Sequence, residues 1–150
     1  MGTRPVLAVA SGGGHWHQLM RLRPAFESHE MLYATTVKGL AKEFAATPAV
    51  LIPEANRSAP LTSLHAAVVI GALVLRRRPR AVISTGALPG VIALAFGRLI
   101  GARTIWIDSV ANAEEMSMSG RIAKRFADHW FSQWPHVAEA EGAAYEGSVL

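Results

Sequence analysis

Val6-Leu7-Ala8-Val9-Ala10-Ser11-Gly12-Gly13-Gly14-His15-Trp16-His17-Gln18-Leu19-Met20 decides the fold. An apolar run of strand length ends in a serine and consecutive glycines, and an apolar spacing that suits a helix follows at once. The expected unit is strand, tight turn, helix. Glycines at such a junction let backbone approach a ligand, and the first free N–H groups of the helix point into the space beyond the strand end. That space suits a phosphate or an oxygen that gains negative charge. The run matches neither the spaced G-x-G-x-x-G of dinucleotide folds nor the lysine-containing P-loop. A tight turn that holds no ligand therefore stays open. His15 adds chemistry: in the first helical turn the helix dipole favours the neutral imidazole, a form able to accept a proton from a hydroxyl.

Composition narrows the classes. The chain has 150 residues, enough for one packed domain, and residues 1–150 are read as a single unit. There is no cysteine, so disulfide and thiolate chemistry are excluded. The six histidines lack zinc-ligand spacing, and no metal or other cofactor is expected. The net charge of +4 is modest but clustered, at Arg76-Arg77-Arg78-Pro79-Arg80 and at Arg121, Lys124 and Arg125. Such clusters fit phosphate groups or simply solvated helix ends. No aromatic-interleaved basic strand or zinc-finger pattern is present, and nucleic acid is not an expected partner.

The N-terminus lacks a signal-peptide pattern, so the chain is expected to stay inside the cell. Its most hydrophobic later stretch, Leu64 to Leu75, falls short of the roughly 20 residues that span a bilayer. Two readings stay open for it: a buried helix of an α/β domain, or a helix in the membrane interface with arginines at the headgroups.

Read in order, the chain alternates. Helix 1 runs to about Phe26, Met31 to Thr36 is a strand, Lys38 to Ala46 a short helix, and Ala49 to Pro53 a strand. A long helix from Leu61 ends in the arginines before Pro79, and Arg80 to Gly86 repeats the opening pattern of apolar strand, hydroxyl residues and glycine. A helix from Leu88 stops at Gly101. Arg103 to Ser109 is a strand, Ser117 to Phe126 a helix weakened by Gly120, and Asp128 to Trp134 a last strand before Pro135. The alternation implies right-handed βαβ units: an α/β, Rossmann-like parallel sheet with helices on both faces. Ligands of such sheets lie beyond the carboxyl ends of the strands, where Ser11 to His15, Ser84 to Gly86 and Asp108 to Asn112 all fall. Convergence of these polar ends is the main argument for a site, although polar residues begin most loops. Trp16, Phe26, Trp106 and Trp134 read as core rather than as platforms for sugar rings.

The ordered set Ser11-Gly12-Gly13-Gly14-His15 with Gln18-Leu19, Ile83-Ser84-Thr85-Gly86, Ile105-Trp106-Ile107-Asp108-Ser109, Asp128-His129-Trp130-Phe131-Ser132-Gln133-Trp134 and Tyr145-Glu146-Gly147-Ser148 resembles one family. It is the asparagine-linked glycosylation protein 14-like group, the acceptor and membrane-recruiting subunits of two-component glycosyltransferases. The resemblance covers nearly the whole chain. It implies the N-terminal half of a GT-B enzyme that works with a separate donor-binding subunit. The pair would move N-acetylglucosamine or glucuronic acid from a UDP-sugar to a polyprenyl-diphosphate-linked acceptor, with inversion, at the cytoplasmic face of the membrane. The chain alone would not turn over. On the same resemblance His15 is the base for the acceptor hydroxyl, and Ser11, Gly12, Gly13, Gly14, Ser84, Thr85, Gly86, Asp108, Ser109 and Asn112 line the substrates. Gly12 to Gly14 would lie against a diphosphate, and Tyr145 to Leu150 would dock on the partner. On this resemblance Asp108 stands where many relatives carry glutamate, and a counterpart of the eukaryotic N-terminal transmembrane anchor is not expected. Two other readings remain: a non-catalytic recruiting scaffold, and a free nucleotide-binding domain.

Overall fold

A computed structural model describes residues 2–149. Six parallel strands form one sheet in the order β3-β2-β1-β4-β5-β6, where β1 is Val6–Ala10, β2 Met31–Thr35, β3 Ala49–Leu51, β4 Ala81–Ser84, β5 Arg103–Ile107 and β6 His129–Phe131. The strand order reverses between β1 and β4, so this pair is the switch point at which a doubly wound sheet opens a crevice. Register aligns the carboxyl ends: Val9 pairs with Ser84, and Ser84 in turn with Trp106. The α/β Rossmann-like reading holds.

Right-handed crossovers in opposite directions place the helices on opposite faces. Helix α1 (Gly14–Leu22), a 3₁₀ turn at Arg23–Ala25 and the short α2 (Leu40–Glu43) cover one face of β1 and β2. Trp16 and Leu19 pack there with Ala8, Ala10 and Tyr33. Helices α3 (Pro60–Arg77), α4 (Ala87–Leu99) and α5 (Met118–Ala123) cover the other face. Ile70, Val74, Leu94 and Trp106 join Leu7 and Val9 in a second apolar cluster there. Strand residues alternate between the two clusters because successive side chains of a strand point to opposite faces.

Helix α4 shows how closely the layers approach. Gly90, Ala93 and Gly97 are buried at helical spacing along it. A Cβ on Gly90 would overlap the Ser84 side chain, one on Gly97 would meet Val82, and Gly71 of α3 is kept bare by the Phe96 ring. These glycines permit close helix-to-sheet and helix-to-helix contact, a use unrelated to turns.

Two sequence expectations need correction. Asp128 to Trp134 is not strand throughout: β6 is only three residues long, and Trp134 and Pro135 start a further helix, α6 (Pro135–Glu141), at which Pro135 takes the first position. The Arg121, Lys124 and Arg125 cluster is not an open phosphate patch. Arg121 pairs with Glu141 at 2.7 Å and Glu115 at 3.2 Å, and Lys124 lies 4.8 Å from the centre of the Trp130 ring. Helix α3 is buried along one face and exposed along the other. With 18 residues and a mean hydropathy of 1.2 it is long and apolar enough by those measures alone to cross a membrane. Yet Ala66, Ile70, Gly71 and Val74 are buried, while Leu61, Leu64, Val68 and Leu75 are exposed.

Gly90→Ala should lower stability by about 1–3 kcal/mol, the usual penalty for forcing a group into a filled interior, read as a lower denaturant midpoint with an unchanged m-value. An unchanged midpoint would mean that α4 does not approach the sheet as closely as its glycines require.

Candidate functional site

The site is built where β1 and β4 end side by side. Helix α1 starts at Gly13 and helix α4 at Gly86, and neither start carries a side-chain cap. Gly13 adopts φ 69°, a conformation that glycine reaches without strain. The next residue that bonds back to the turn is His17, whose N–H donates to the Gly13 carbonyl at 3.1 Å. The N–H groups that precede it are the orphan donors of the helix. A Cβ on Gly12 would meet Val37, so the loop tolerates no bulk on that side.

His15 joins the two strand ends. Its Nδ1 donates to the Thr85 carbonyl oxygen at 3.2 Å, and Thr85 Oγ1 donates to the His15 carbonyl at 2.6 Å. A carbonyl only accepts, so the neutral ring carries its proton on Nδ1 and leaves the lone pair on Nε2. The half-buried imidazole thus presents a proton acceptor, with its tautomer set by backbone. Gly86 is required beside it, because a Cβ there would overlap the His15 ring.

The other sequence-predicted residues gather at the same edge, but mostly as its wall. Ser84 and Thr85 are fully buried; Ser84 Oγ accepts from the Gly86 N–H at 3.3 Å and shapes the turn. Ser11 is also buried. Asp108 is 2% exposed and its carboxylate is filled: it accepts from Trp106 Nε1 at 3.0 Å, Asn112 Nδ2 at 3.1 Å, Ser117 N at 2.9 Å and Ser117 Oγ at 2.5 Å. The geometry gives Asp108 the task of folding the segment after β5 rather than of meeting a ligand. Ser109 is buried, with Oγ accepting from Gln18 Nε2 and the Ala111 N–H. Gly12, Gly13, Gly14, His15 and Asn112 remain at least partly open. Of the aromatics, Trp16, Phe26 and Trp106 are core as read, and Trp134 is half-buried with its ring N–H on the Val110 carbonyl.

Sequence reasoning assigned no task to Gln18 and Gln133, which are 5% and 2% exposed. Gln133 Nε2 donates to Gln18 Oε1 at 2.5 Å and to the Asp108 carbonyl at 2.9 Å. A glutamine inside each apolar-flanked motif was the available signal, since a buried primary amide needs several partners. The tail expected to dock on a partner lies on its own chain: Ala144 bridges to Phe131, and Ser148 Oγ donates to the Gln133 carbonyl at 2.7 Å. Leu150 lies outside the described residues. Among the described residues no three His, Cys, Asp or Glu side chains come together as a metal site.

Residues 52–149, more than half of the chain, match the family described as oligosaccharide biosynthesis protein Alg14 like. The chain belongs to the Alg14-like family. It is similar to the UDP-N-acetylglucosamine transferase subunit ALG14 of Yarrowia lipolytica, at 32% identity over 62% of this chain and 46% of that one. It is also similar to the subunit of the same name from Eremothecium gossypii, at 25% identity over 91% of this chain and 75% of that one. In fold, this Alg14-like chain resembles MurG of Acinetobacter baumannii with a TM-score of 0.73 and 15% identity, covering 98% of this chain and 45% of MurG. A UDP-GlcNAc 2-epimerase from Methanocaldococcus jannaschii matches with a TM-score of 0.66 over 41% of its length. The Alg14-like chain thus spans under half of the Yarrowia relative and of both larger folds. It has the parallel α/β architecture of the part of those larger folds that it covers.

Asp108→Ala should cost at least about 3 kcal/mol, because it strands several buried donors at about 1–3 kcal/mol each, whereas Asn112→Ala should cost under about 1 kcal/mol. Chemical denaturation of both variants checks this, and near-equal losses would remove Asp108 from its place as the organiser of the segment after β5.

Proposed function

We propose that the chain is the acceptor-side subunit of an inverting glycosyltransferase that moves a sugar from a UDP-sugar to a polyprenyl-diphosphate-linked acceptor. The observation that carries the reading is His15: a ring whose Nδ1–H is held by the Thr85 carbonyl, above the switch point, with Nε2 left to accept a proton. In the reaction the acceptor hydroxyl gives its proton to Nε2 as its oxygen bonds to the anomeric carbon. The bond from that carbon to the UDP oxygen breaks, and UDP leaves with the electron pair. The uncapped starts of α1 and α4 favour the negative charge that develops on phosphate. Gly12 to Gly14 and Asn112 line the acceptor, with Ser11, Ser84, Thr85, Gly86, Asp108 and Ser109 holding the wall behind them.

A second, donor-binding subunit completes the cleft. Its support is that the similar ALG14 proteins are named transferase subunits, and that one sheet face is incompletely covered. Ile83, Ile105 and Ile107 of β4 and β5 line a shallow apolar cavity of about 310 Å³ with Val6, Leu22 and Phe26. This face opposes α4 and α5, and among the described residues no helix covers it beyond the end of α1, so it suits an apolar partner surface.

The membrane surface holds the acceptor's lipid. Leu61, Leu64, Val68 and Leu75 form an exposed stripe along α3, at 83, 62, 64 and 46% exposure. The exposed Arg76, Arg77, Arg78 and Arg80 follow at its end, and among the described residues no carboxylate pairs with them. An apolar stripe ending in cations matches the chemistry of an anionic bilayer interface. Helix α3 begins at the carboxyl edge of the sheet, so docking by this stripe keeps the crevice near the lipid. The expected location is therefore peripheral, at the cytoplasmic face.

The His15→Ala chain, assayed with its donor-binding partner on a UDP-sugar and a polyprenyl-diphosphate sugar, should lose activity by a factor of about 10² to 10⁴, as expected for a missing general base. Full activity would make the chain a recruiting scaffold, and turnover by the isolated chain would remove the need for a partner. In a separate measurement, vesicles containing phosphatidylglycerol should sediment the wild-type chain but not Leu64→Glu/Val68→Glu. Equal sedimentation of the two would take α3 away from the membrane.

A further inference from the structure

Two buried amides connect the C-terminal tail to the helix that carries His15. The Val149 N–H donates to Gln133 Oε1 at 2.7 Å. Gln133 Nε2 donates onward to Gln18 Oε1, and Gln18 Nε2 donates to Ser109 Oγ at 2.9 Å. Backbone groups set the direction of both amides. Val149 N–H can only donate and the Asp108 carbonyl can only accept, which orients Gln133. The Val110 N–H, donating to Gln18 Oε1 at 3.1 Å, orients Gln18. Flipping either amide would set donor against donor, so the chain of bonds has one polarity from tail to helix.

The two ends of this chain differ in firmness. Gln18 and Gln133 are buried, and Gln18 lies three residues after His15, on the neighbouring patch of the α1 surface. The tail from Tyr145 to Ser148 is exposed and adds no helix or strand after the Ala144 bridge. Two contacts on Gln133 seat it, through Ser148 and Val149. Its residues Glu146 to Val149 also wall a cavity of about 280 Å³ together with Leu22, Ile107, Phe131 and Gln133. A segment held by a few polar bonds opens at little cost, whereas the buried amides need their partners at all times.

We propose that Gln133 and Gln18 are positioning residues that transmit the seating of the C-terminal tail to α1, so that the placement of the His15 ring depends on whether the tail is docked. The catalytic meaning rests on the proposed role of His15, but the coupling itself does not. A partner that grips the tail would thereby set the base as well as bring the donor.

The coupling can be read in the isolated chain from the side-chain ¹⁵N resonances of His15. Two variants are needed: the chain ending at Gly147, which removes the tail contacts and leaves Gln133 intact, and Gln133→Met, which keeps size and removes the amide. Both should move the His15 nitrogens away from the Nδ1–H tautomer toward an averaged value while other histidines such as His129 stay in place. Unchanged His15 resonances in the chain ending at Gly147 would overturn the proposal, and so would a change confined to Gln133→Met, which would make Gln133 a local packing residue. With the donor-binding subunit added, the shortened chain should lower kcat by about ten- to a hundredfold at unchanged KM for the UDP-sugar, the scale of an ångström's misplacement. A complex with no transferase activity in wild type would refute the proposed function while the resonance test of the relay stands.

Discussion

The mutual pair of hydrogen bonds between His15 and Thr85 is the constraint around which the carboxyl edge is arranged. It ties the loop after β1 to the loop after β4 at the place where strand order reverses, and it dictates two glycines. Gly86 must lack a Cβ to admit the ring, and Gly13 must adopt a positive φ to start α1 directly under it. Because β1 and β4 are paired from Val6 with Ala81 to Val9 with Ser84, a shift of one residue would separate the two loops and reverse the faces of both strands. Core packing and site geometry are therefore enforced by the same register.

Asp108 does for the far side of the crevice what Thr85 does for the centre. A carboxylate at a strand end is a natural ligand candidate, since chemistry concentrates at such ends in parallel sheets. Here the segment from Ser109 to Ser117 must leave the sheet and return to start α5, and its donors have no strand partner. Asp108 satisfies three of them and the Trp106 ring N–H besides, and the Ser117 hydroxyl among them also accepts the Gly120 N–H and so caps α5. Gly120 weakens the helix by intrinsic propensity, yet a Cβ there would press on Asp108 and Met116. Propensity yields to the need for close approach.

These details mark what was legible in the sequence. Strand–helix alternation and the apolar runs place every strand, because parallel strands flanked by helices read as near-continuous apolar runs. His15 at the first turn of α1 was legible from the glycines before it. The roles of Asp108, Ser84 and Ser109 were not, because hydroxyls and carboxylates at strand ends look alike whether they face a ligand or their own backbone. Only the partner distances separate the cases. Helix α6 was missed because Pro135 reads as a stop after Asp128 to Trp134, although proline suits the first position of a helix equally well. Gln133 was visible as a residue but not as a contact, since its partners lie up to 115 positions away.

The half-open crevice explains why the proposed chemistry calls for a second body. Helix N-termini and a lone imidazole act on developing charge in proportion to the exclusion of water, and here Gly13 and Gly14 stand exposed. In that solvated state the donors of α1 compete with water for the phosphate oxygens. A facing domain would desolvate them without changing a single contact inside this chain. The ring of His15, by contrast, already has its tautomer set by the Thr85 carbonyl, with the donor and acceptor ends of the imidazole settled before any ligand arrives. One element of the site is thus preorganised by the fold, while its electrostatic strength is left to assembly. That division is what the proposed reaction requires, since transfer to water must be avoided until acceptor and donor are together.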